Sequence, residues 1–204
     1  MSFVKFLVTG GAGFLGSHLI EHLEGDITVV DDFSTAKYEL PKKVKVIKER
    51  IENFRTDEKF DYVVHLAARP SPDDYMQHPV ETALSNSLGT YNALEIARRS
   101  DAVFLYTSSS EVYGHAEVVP TPEDYWGKVN PIGVRSCYDE SKRFSEALIM
   151  AYYREYGLDV RIQRPFNVYG PRLREDGAYG RVVSRFIYQA LKGEDLTVYG
   201  DGNQ

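Results

Sequence analysis

A chain of 204 residues with 43% hydrophobic and 26% charged side chains has the make-up of an ordinary globular protein, large enough for one core and part of another. Its apolar runs all fall short of the roughly 20 residues that cross a bilayer, so no membrane partner is expected. The formal net charge of −6 argues against nucleic-acid binding, which needs clustered Lys and Arg to neutralise phosphates.

The opening MSFVKFLVTG passes directly into a strand near Phe3–Thr9, with no basic, apolar and small-residue succession of a secretory leader, which makes the cytoplasm the expected compartment. Next come Gly10, Gly13 and Gly16 in GGAGFLG, opening a helix over Phe14–Glu24 that Gly25 closes. Glycines suit a tight strand-to-helix turn, close approach of backbone to a pyrophosphate and close helix–sheet packing. The free N–H groups of Phe14, Leu15 and Gly16 and the positive end of the helix dipole would face the phosphates. A strand near Thr28–Val30 then ends at Asp31, where a carboxylate can accept hydrogen bonds from a ribose 2′-hydroxyl and would repel a 2′-phosphate, so NAD is favoured over NADP. The neighbouring Asp32 competes for this role.

Further strands are expected near Val44–Lys48, Tyr62–Leu66, Val103–Thr107 and Val160–Gln163, and helices over Val80–Arg99 and Tyr138–Tyr156, the latter closed by Gly157. Alternating strands and helices predict an α/β protein, a Rossmann-type doubly wound parallel sheet with the beginning of a smaller C-terminal substrate domain. Residues 1–164 would form the dinucleotide-binding domain. Residues 165–204, with a helix near Val182–Lys192 and a short strand in LTVYG, would form part of the second, truncated just after a Gly-Asp-Gly turn.

Tyr138 and Lys142 lie four apart and so share a helix face, where a cation favours phenolate and draws a tyrosine toward the range of a general base. With 15 tyrosines in the chain, the same spacing also arises by chance at Tyr38 with Lys42, interrupted by Pro41, and at Tyr188 with Lys192 in the second region. Only Tyr138 follows a polar strand end, Thr107-Ser108-Ser109-Ser110-Glu111, of the kind that meets ligands in a doubly wound sheet. The single cysteine, Cys137, can form no internal disulfide and has no cysteine partners for a metal cluster.

The strings GGAGFLG, His65-Leu-Ala-Ala68, Asn86-Ser-Leu-Gly89, SSSEVYG and YDESK together resemble the extended short-chain dehydrogenases that act on nucleotide-sugars, across essentially the whole chain. Within them, PEDYWGKVNPIGVRSCYDESKRFSEAL, PFNVYGPR and GRVVSRFIYQALKGEDLTVYGDG are most similar to UDP-glucuronate decarboxylases. The resemblance implies that Tyr138 is the base, Lys142 its electrostatic partner and a ligand of the nicotinamide ribose, and Glu111 the active-site glutamate. Ser109 stands where those enzymes usually carry threonine and keeps the hydroxyl. Related 4,6-dehydratases typically have aspartate at position 110, which is serine here, and ordinary 4-epimerases usually lack a carboxylate at 111. Leu66, Ala67, Ala68 and Asn86 are implied as cofactor contacts, and Asn167, Arg172, Arg181 and Tyr199 as contacts of the UDP-sugar. The implied chemistry passes through a 4-keto sugar with NAD regenerated in each turnover and no metal, in a homodimer joined by a four-helix interface of the Val80–Arg99 and Tyr138–Tyr156 helices. A UDP-sugar 4-epimerase and a non-catalytic NAD-binding protein remain the alternatives.

Overall fold

A computed structural model describes residues 3–36, 38–174, 181–198 and 200–202. Strand β1 (Lys5–Thr9) runs into α1 (Phe14–His22), β2 (Asp26–Asp31), β3 (Lys45–Lys48) and β4 (Tyr62–His65). A short α2 (Pro72–Gln77) and the long α3 (Pro79–Ser100) lead to β5 (Val103–Thr107), then α4 (Ser136–Tyr156), β6 (Val160–Gln163) and α5 (Val182–Lys192). The six strands lie in the order β3-β2-β1-β4-β5-β6 and pair in parallel throughout. The chain therefore winds outward from β1, returns beside it as β4 and winds the other way. The crevice at the carboxyl ends of β1 and β4 is the switch point where open α/β sheets take ligands.

Because successive strand residues face opposite sides, Leu7 and Val8 enter different cores. Leu7, Val63 and Phe104 pack with Leu94, Ile96 and Ile149 of α3 and α4, while Val8, Val29 and Val64 pack with Ile20 of α1. Strands covered on both faces read as continuous apolar runs, which is why FLV and VVH were legible as strands.

Several local expectations need correction. α1 stops at His22 with Leu23 extended, so Gly25 is not its left-handed cap. Gly25 instead admits the Val4 carbonyl, which a Cβ there would meet at 2.3 Å, and its φ of +153° is one that side chains rarely adopt. Gly157 does cap α4, with φ 68° and ψ 19°. The helix α2 was not foreseen, although Ser71 followed by Pro72, Asp73 and Asp74 is a helix-start signature. The strand expected in LTVYG does not form over residues 196–198, where no strand among the described residues offers a ladder; Tyr199 lies outside the described residues.

Among the described residues no helix is long and apolar enough to cross a membrane. None of their His, Cys, Asp and Glu side chains are grouped in threes that could hold a metal ion.

Candidate active site

The glycine turn shows three different needs for a missing side chain. Gly10 has φ +69°, donates its N–H to the Val30 carbonyl at 2.9 Å, and would place a Cβ 2.6 Å from the Ala67 backbone nitrogen. Gly16 would place one 2.5 Å from the Gly10 carbonyl oxygen. Gly13 differs: a Cβ there would meet only the Gly10 oxygen, at 3.3 Å, so its side of the turn opens outward. The first helical bond of α1 runs from the Ser17 N–H to the Gly13 carbonyl at 2.9 Å, which leaves the N–H groups of Phe14, Leu15 and Gly16 without an intrahelical acceptor. Open space beside aligned donors at a helix N-terminus fits a pyrophosphate.

Asp31 is tied to this turn. Its carboxylate accepts from the Ala12 N–H at 2.9 Å and the Phe33 N–H at 2.8 Å, and burial pushes its pKa up against those two bonds. Its oxygens have lone pairs left over for a ribose diol. Asp32 instead accepts from the Ser34 N–H at 2.8 Å and hydroxyl at 2.6 Å, so it shapes its own turn, whereas Asp31 is the one bonded to the glycine turn.

The His65–Ala68 segment continues past β4 along the end of β1, with the Leu66 N–H on the Thr9 carbonyl at 3.0 Å and the Ala67 N–H on the Thr9 hydroxyl at 3.3 Å. His65 itself is a buried strut: one ring nitrogen lies 2.6 Å from the Thr9 hydroxyl and the other 3.2 Å from that of Thr90. Burial, followed by the Lys142 charge, lowers its pKa to about 3. The unfolded chain takes up this proton near 6.5 and the folded chain near 3, so the group leaves stability flat above pH 6.5. Below that, it costs about 1.4 kcal/mol per pH unit until about pH 3. The imidazole is expected to stay neutral down to about pH 4 in ring-nitrogen NMR; a midpoint near 6.5 would contradict this burial.

Asn86, also buried, donates to the Ser141 hydroxyl at 2.9 Å and so links α3 to α4. Its Oδ1 has no hydrogen-bond partner among the described residues, leaving an acceptor in the wall beside the reacting helix.

Four side chains gather at the end of β5. Tyr138 stands in the first turn of α4 and Lys142 one turn on, both buried. Ser109 precedes the short 3-10 turn Ser110–Tyr113 and accepts the Glu111 N–H at 3.3 Å. The Ser109 hydroxyl also lies close enough to the Tyr138 phenol to favour its charged form. Lys142 shares the helix with Tyr138, as the spacing predicts, but its ammonium is not hydrogen-bonded to the phenolic oxygen. Its ammonium donates to the Thr107 carbonyl at 2.9 Å and lies 5.9 Å from the Tyr138 ring centroid. The phenol is accordingly not drawn down: burial, helped by the Glu111 charge, pushes it up to about 12, against which the nearby Ser109 hydroxyl and the charge of Arg181 act. Lys142 is itself pulled down to about 7 by burial.

Sequence reasoning missed two neighbours. Tyr75, from α2, stacks on Tyr138 with centroids 4.9 Å apart and planes within 7°. Arg135 donates to the Tyr75 hydroxyl at 2.9 Å and pairs with the Glu111 carboxylate, tying the carboxylate to the ring that supports the phenol. Nothing in local periodicity marks Tyr75, which sits in the helix that was overlooked. Cys137 points away, its thiol toward the Tyr75 carbonyl at 3.5 Å and pushed up by burial, which is the opposite of an activated nucleophile.

The residues expected to contact substrate separate. Arg181, at the start of α5, donates to the Pro70 carbonyl at 2.8 Å and lies close enough to bias Tyr138. Asn167 is exposed and follows Pro165, whose carbonyl receives the Ser110 N–H at 3.0 Å. Arg172 pairs with Glu21 on α1, and its carbonyl receives the Tyr38 hydroxyl, so in this structure its guanidinium serves helix α1. Tyr188 and Lys192 prove to be a helical pair, 5.7 Å from ammonium to ring centroid, on α5.

Comparison with known proteins places this arrangement. The model of the NAD dependent epimerase/dehydratase family matches residues 6–204. UDP-glucuronic acid decarboxylase 3 of Arabidopsis thaliana is 47% identical over 98% of this chain and 61% of its own length, and UDP-glucuronic acid decarboxylase 1 of Xenopus tropicalis is 45% identical over 98% and 49%. The crystal structure of UDP-glucose 4-epimerase from Thermotoga maritima superposes with a TM-score of 0.88 at 33% identity, covering 98% of this chain and 67% of that one. The chain thus spans about half to three-fifths of the curated relatives it matches, and it belongs to the NAD dependent epimerase/dehydratase family.

Proposed function

We propose that this chain carries the NAD site and the reacting residues of an enzyme that decarboxylates UDP-glucuronate to UDP-xylose, with residues 1–164 holding the cofactor and residues 165–204 contributing to the sugar-nucleotide site. The observation that carries the reading is the meeting of a buried phenol, a hydroxyl and a carboxylate, Tyr138, Ser109 and Glu111, at the sheet end that also bears the glycine turn. The names of the relatives at 45–48% identity support the choice of reaction.

NAD, when bound, supplies reversible oxidation at carbon 4 of the sugar and is restored by the end of each turnover. Tyr138 takes the proton of the 4-hydroxyl, and Ser109 shares that hydrogen bond. A phenol held near 12 yields its proton more readily beside positive charge; Arg181 acts on it in that sense, and the Lys142 ammonium stands 5.9 Å from its ring centroid. A ketone at carbon 4 makes the carboxylate at carbon 5 able to leave as carbon dioxide, because the electrons delocalise onto the ketone oxygen. Glu111, held by Arg135, stands beside this centre to manage the proton that replaces the lost carboxylate. Incubation of the protein with NAD and UDP-glucuronate should release carbon dioxide and give UDP-xylose by NMR. Interconversion of UDP-glucose and UDP-galactose without carbon dioxide would support a 4-epimerase instead, the activity named for the Thermotoga structure. Binding of NAD with neither reaction would leave a non-catalytic NAD protein.

Cofactor choice rests on Asp31. Replacing it by asparagine removes the charge that repels a 2′-phosphate, and calorimetry should then show the NAD-over-NADP preference falling by about tenfold or more.

A homodimer is part of the same reading. Val80, Leu84, Leu88 and Tyr91 form an exposed stripe along α3, flanked by Phe144 of α4, which suits pairing of α3 and α4 with their copies in a four-helix contact. Leu88→Arg is expected to shift sedimentation from dimer to monomer; an unchanged dimer would place the interface elsewhere.

A further inference from the structure

We infer that the aromatic face of Tyr106 is the seat of the Lys142 ammonium, making Tyr106 a positioning residue that holds this buried lysine in its charged form. The inference rests on the reading of Lys142 as the working cation beside Tyr138, and it deepens that reading.

Lys142 enters the interior without an anion. Its Nζ lies 4.8 Å from the Tyr106 ring centroid, nearer than the 5.9 Å to Tyr138, and among the described residues its hydrogen-bond acceptor is the Thr107 carbonyl at 2.9 Å. Among the described residues no carboxylate approaches within ion-pair distance of it. Glu146, one turn along α4, is already engaged by two nitrogens of Arg164, at 2.9 and 2.6 Å. The polar side chains with which α3 meets α4, Asn86 and Thr90, carry no charge. From β4 comes only the His65 ring, which stacks on Tyr106 at 5.7 Å and is neutral because burial holds its pKa near 3. A protonated ring there would repel the ammonium.

An ammonium stripped of water and offered one carbonyl has three donors and one acceptor. The negative face of an aromatic ring within about 6 Å supplies the missing attraction, and supplies more of it where water is excluded. Tyr106 is fully buried on β5, one residue before the carbonyl that Lys142 uses, so strand and helix together fix ammonium, ring and carbonyl as one unit. Burial, opposed by the more distant Glu146 charge, draws Lys142 down to about 7, so an added attraction from the ring tips the side chain toward its charged form near working pH.

The test titrates Lys142 in the full chain, labelled with ¹³C-lysine and followed by NMR at Cε, the signal being assigned by its loss in Lys142→Arg. Tyr106 is replaced by phenylalanine and then by phenylalanines carrying one, two and five ring fluorines, which drain the negative face while keeping the packing volume. Phenylalanine should leave the midpoint nearly where tyrosine puts it. Fluorination should lower it stepwise, by about one pH unit in all, a tenfold change in the proton equilibrium. The sign follows because the ring favours the charged form, so weakening it releases the proton at lower pH. A midpoint unmoved by full fluorination would overturn the inference. Tyr106→Leu should shift it in the same direction, and its unfolding would leave the fluorine series as the deciding measurement. Neither sugar nucleotide nor turnover enters the readout. Absence of decarboxylation would therefore count against the proposed reaction alone, and an unmoved midpoint against Tyr106 alone.

Discussion

Tyr138→Phe is expected to lower turnover of UDP-glucuronate by about 10²- to 10⁴-fold, the range over which a positioned acid–base group acts. The change removes one oxygen and little else. The ring keeps its stack on Tyr75, and the helix keeps Lys142 over Tyr106 and on the Thr107 carbonyl. NAD affinity should therefore stay within about a factor of three, so the loss appears in kcat with KM little changed, the pattern of an interaction made only in the transition state. Steady-state rates with cofactor titration check both halves. Retention of more than about a tenth of the wild-type rate would remove Tyr138 from the reacting atoms.

The second large effect concerns the glycine turn. Gly10→Ala should cost about 2–4 kcal/mol of stability, because it adds a left-handed backbone conformation to a Cβ pressed 2.6 Å from the Ala67 backbone, and neither strand end can retreat. Gly13→Ala provides the contrast. Its φ is −75° and its Cβ meets only one oxygen, at 3.3 Å, so stability should stay within about 1 kcal/mol. NAD affinity should nevertheless fall by about tenfold or more, because the methyl occupies the open side of the turn where phosphate would sit. Denaturant melts and calorimetry on the two variants separate what the fold needs from what the cofactor needs. Equal NAD affinity in Gly13→Ala and wild type would move the pyrophosphate elsewhere.

Glycine spacing, the following strand and Asp31 were legible because each is a local demand of backbone geometry: a turn too tight for a side chain, and an acid at the next strand end. The misread endings were those decided by distant contacts. Gly25 looks like a helix cap from its neighbours, yet a side chain there would collide with the carbonyl of Val4, the residue just before β1. LTVYG has the composition of a strand, but a strand exists only with a partner, and none among the described residues adjoins 196–198. Arg172 sits in a string that implied substrate contact, and in this structure its guanidinium pairs with Glu21 on α1.

The sequence by itself determined the parallel α/β architecture, the dinucleotide turn and the pairing of Tyr138 with Lys142 on one helix, since hydrophobic periodicity and four-residue spacing act over a few residues. Only the tertiary structure decided what surrounds that pair. It brought Tyr75 flat against Tyr138 and placed Arg135 between Tyr75 and Glu111. It also directed the lysine onto Tyr106 and the Thr107 carbonyl, away from the phenolic oxygen. It thereby reversed the expected shift of the phenol, because burial in a packed interior acts on a charge more strongly than a cation that is near in sequence but aimed elsewhere.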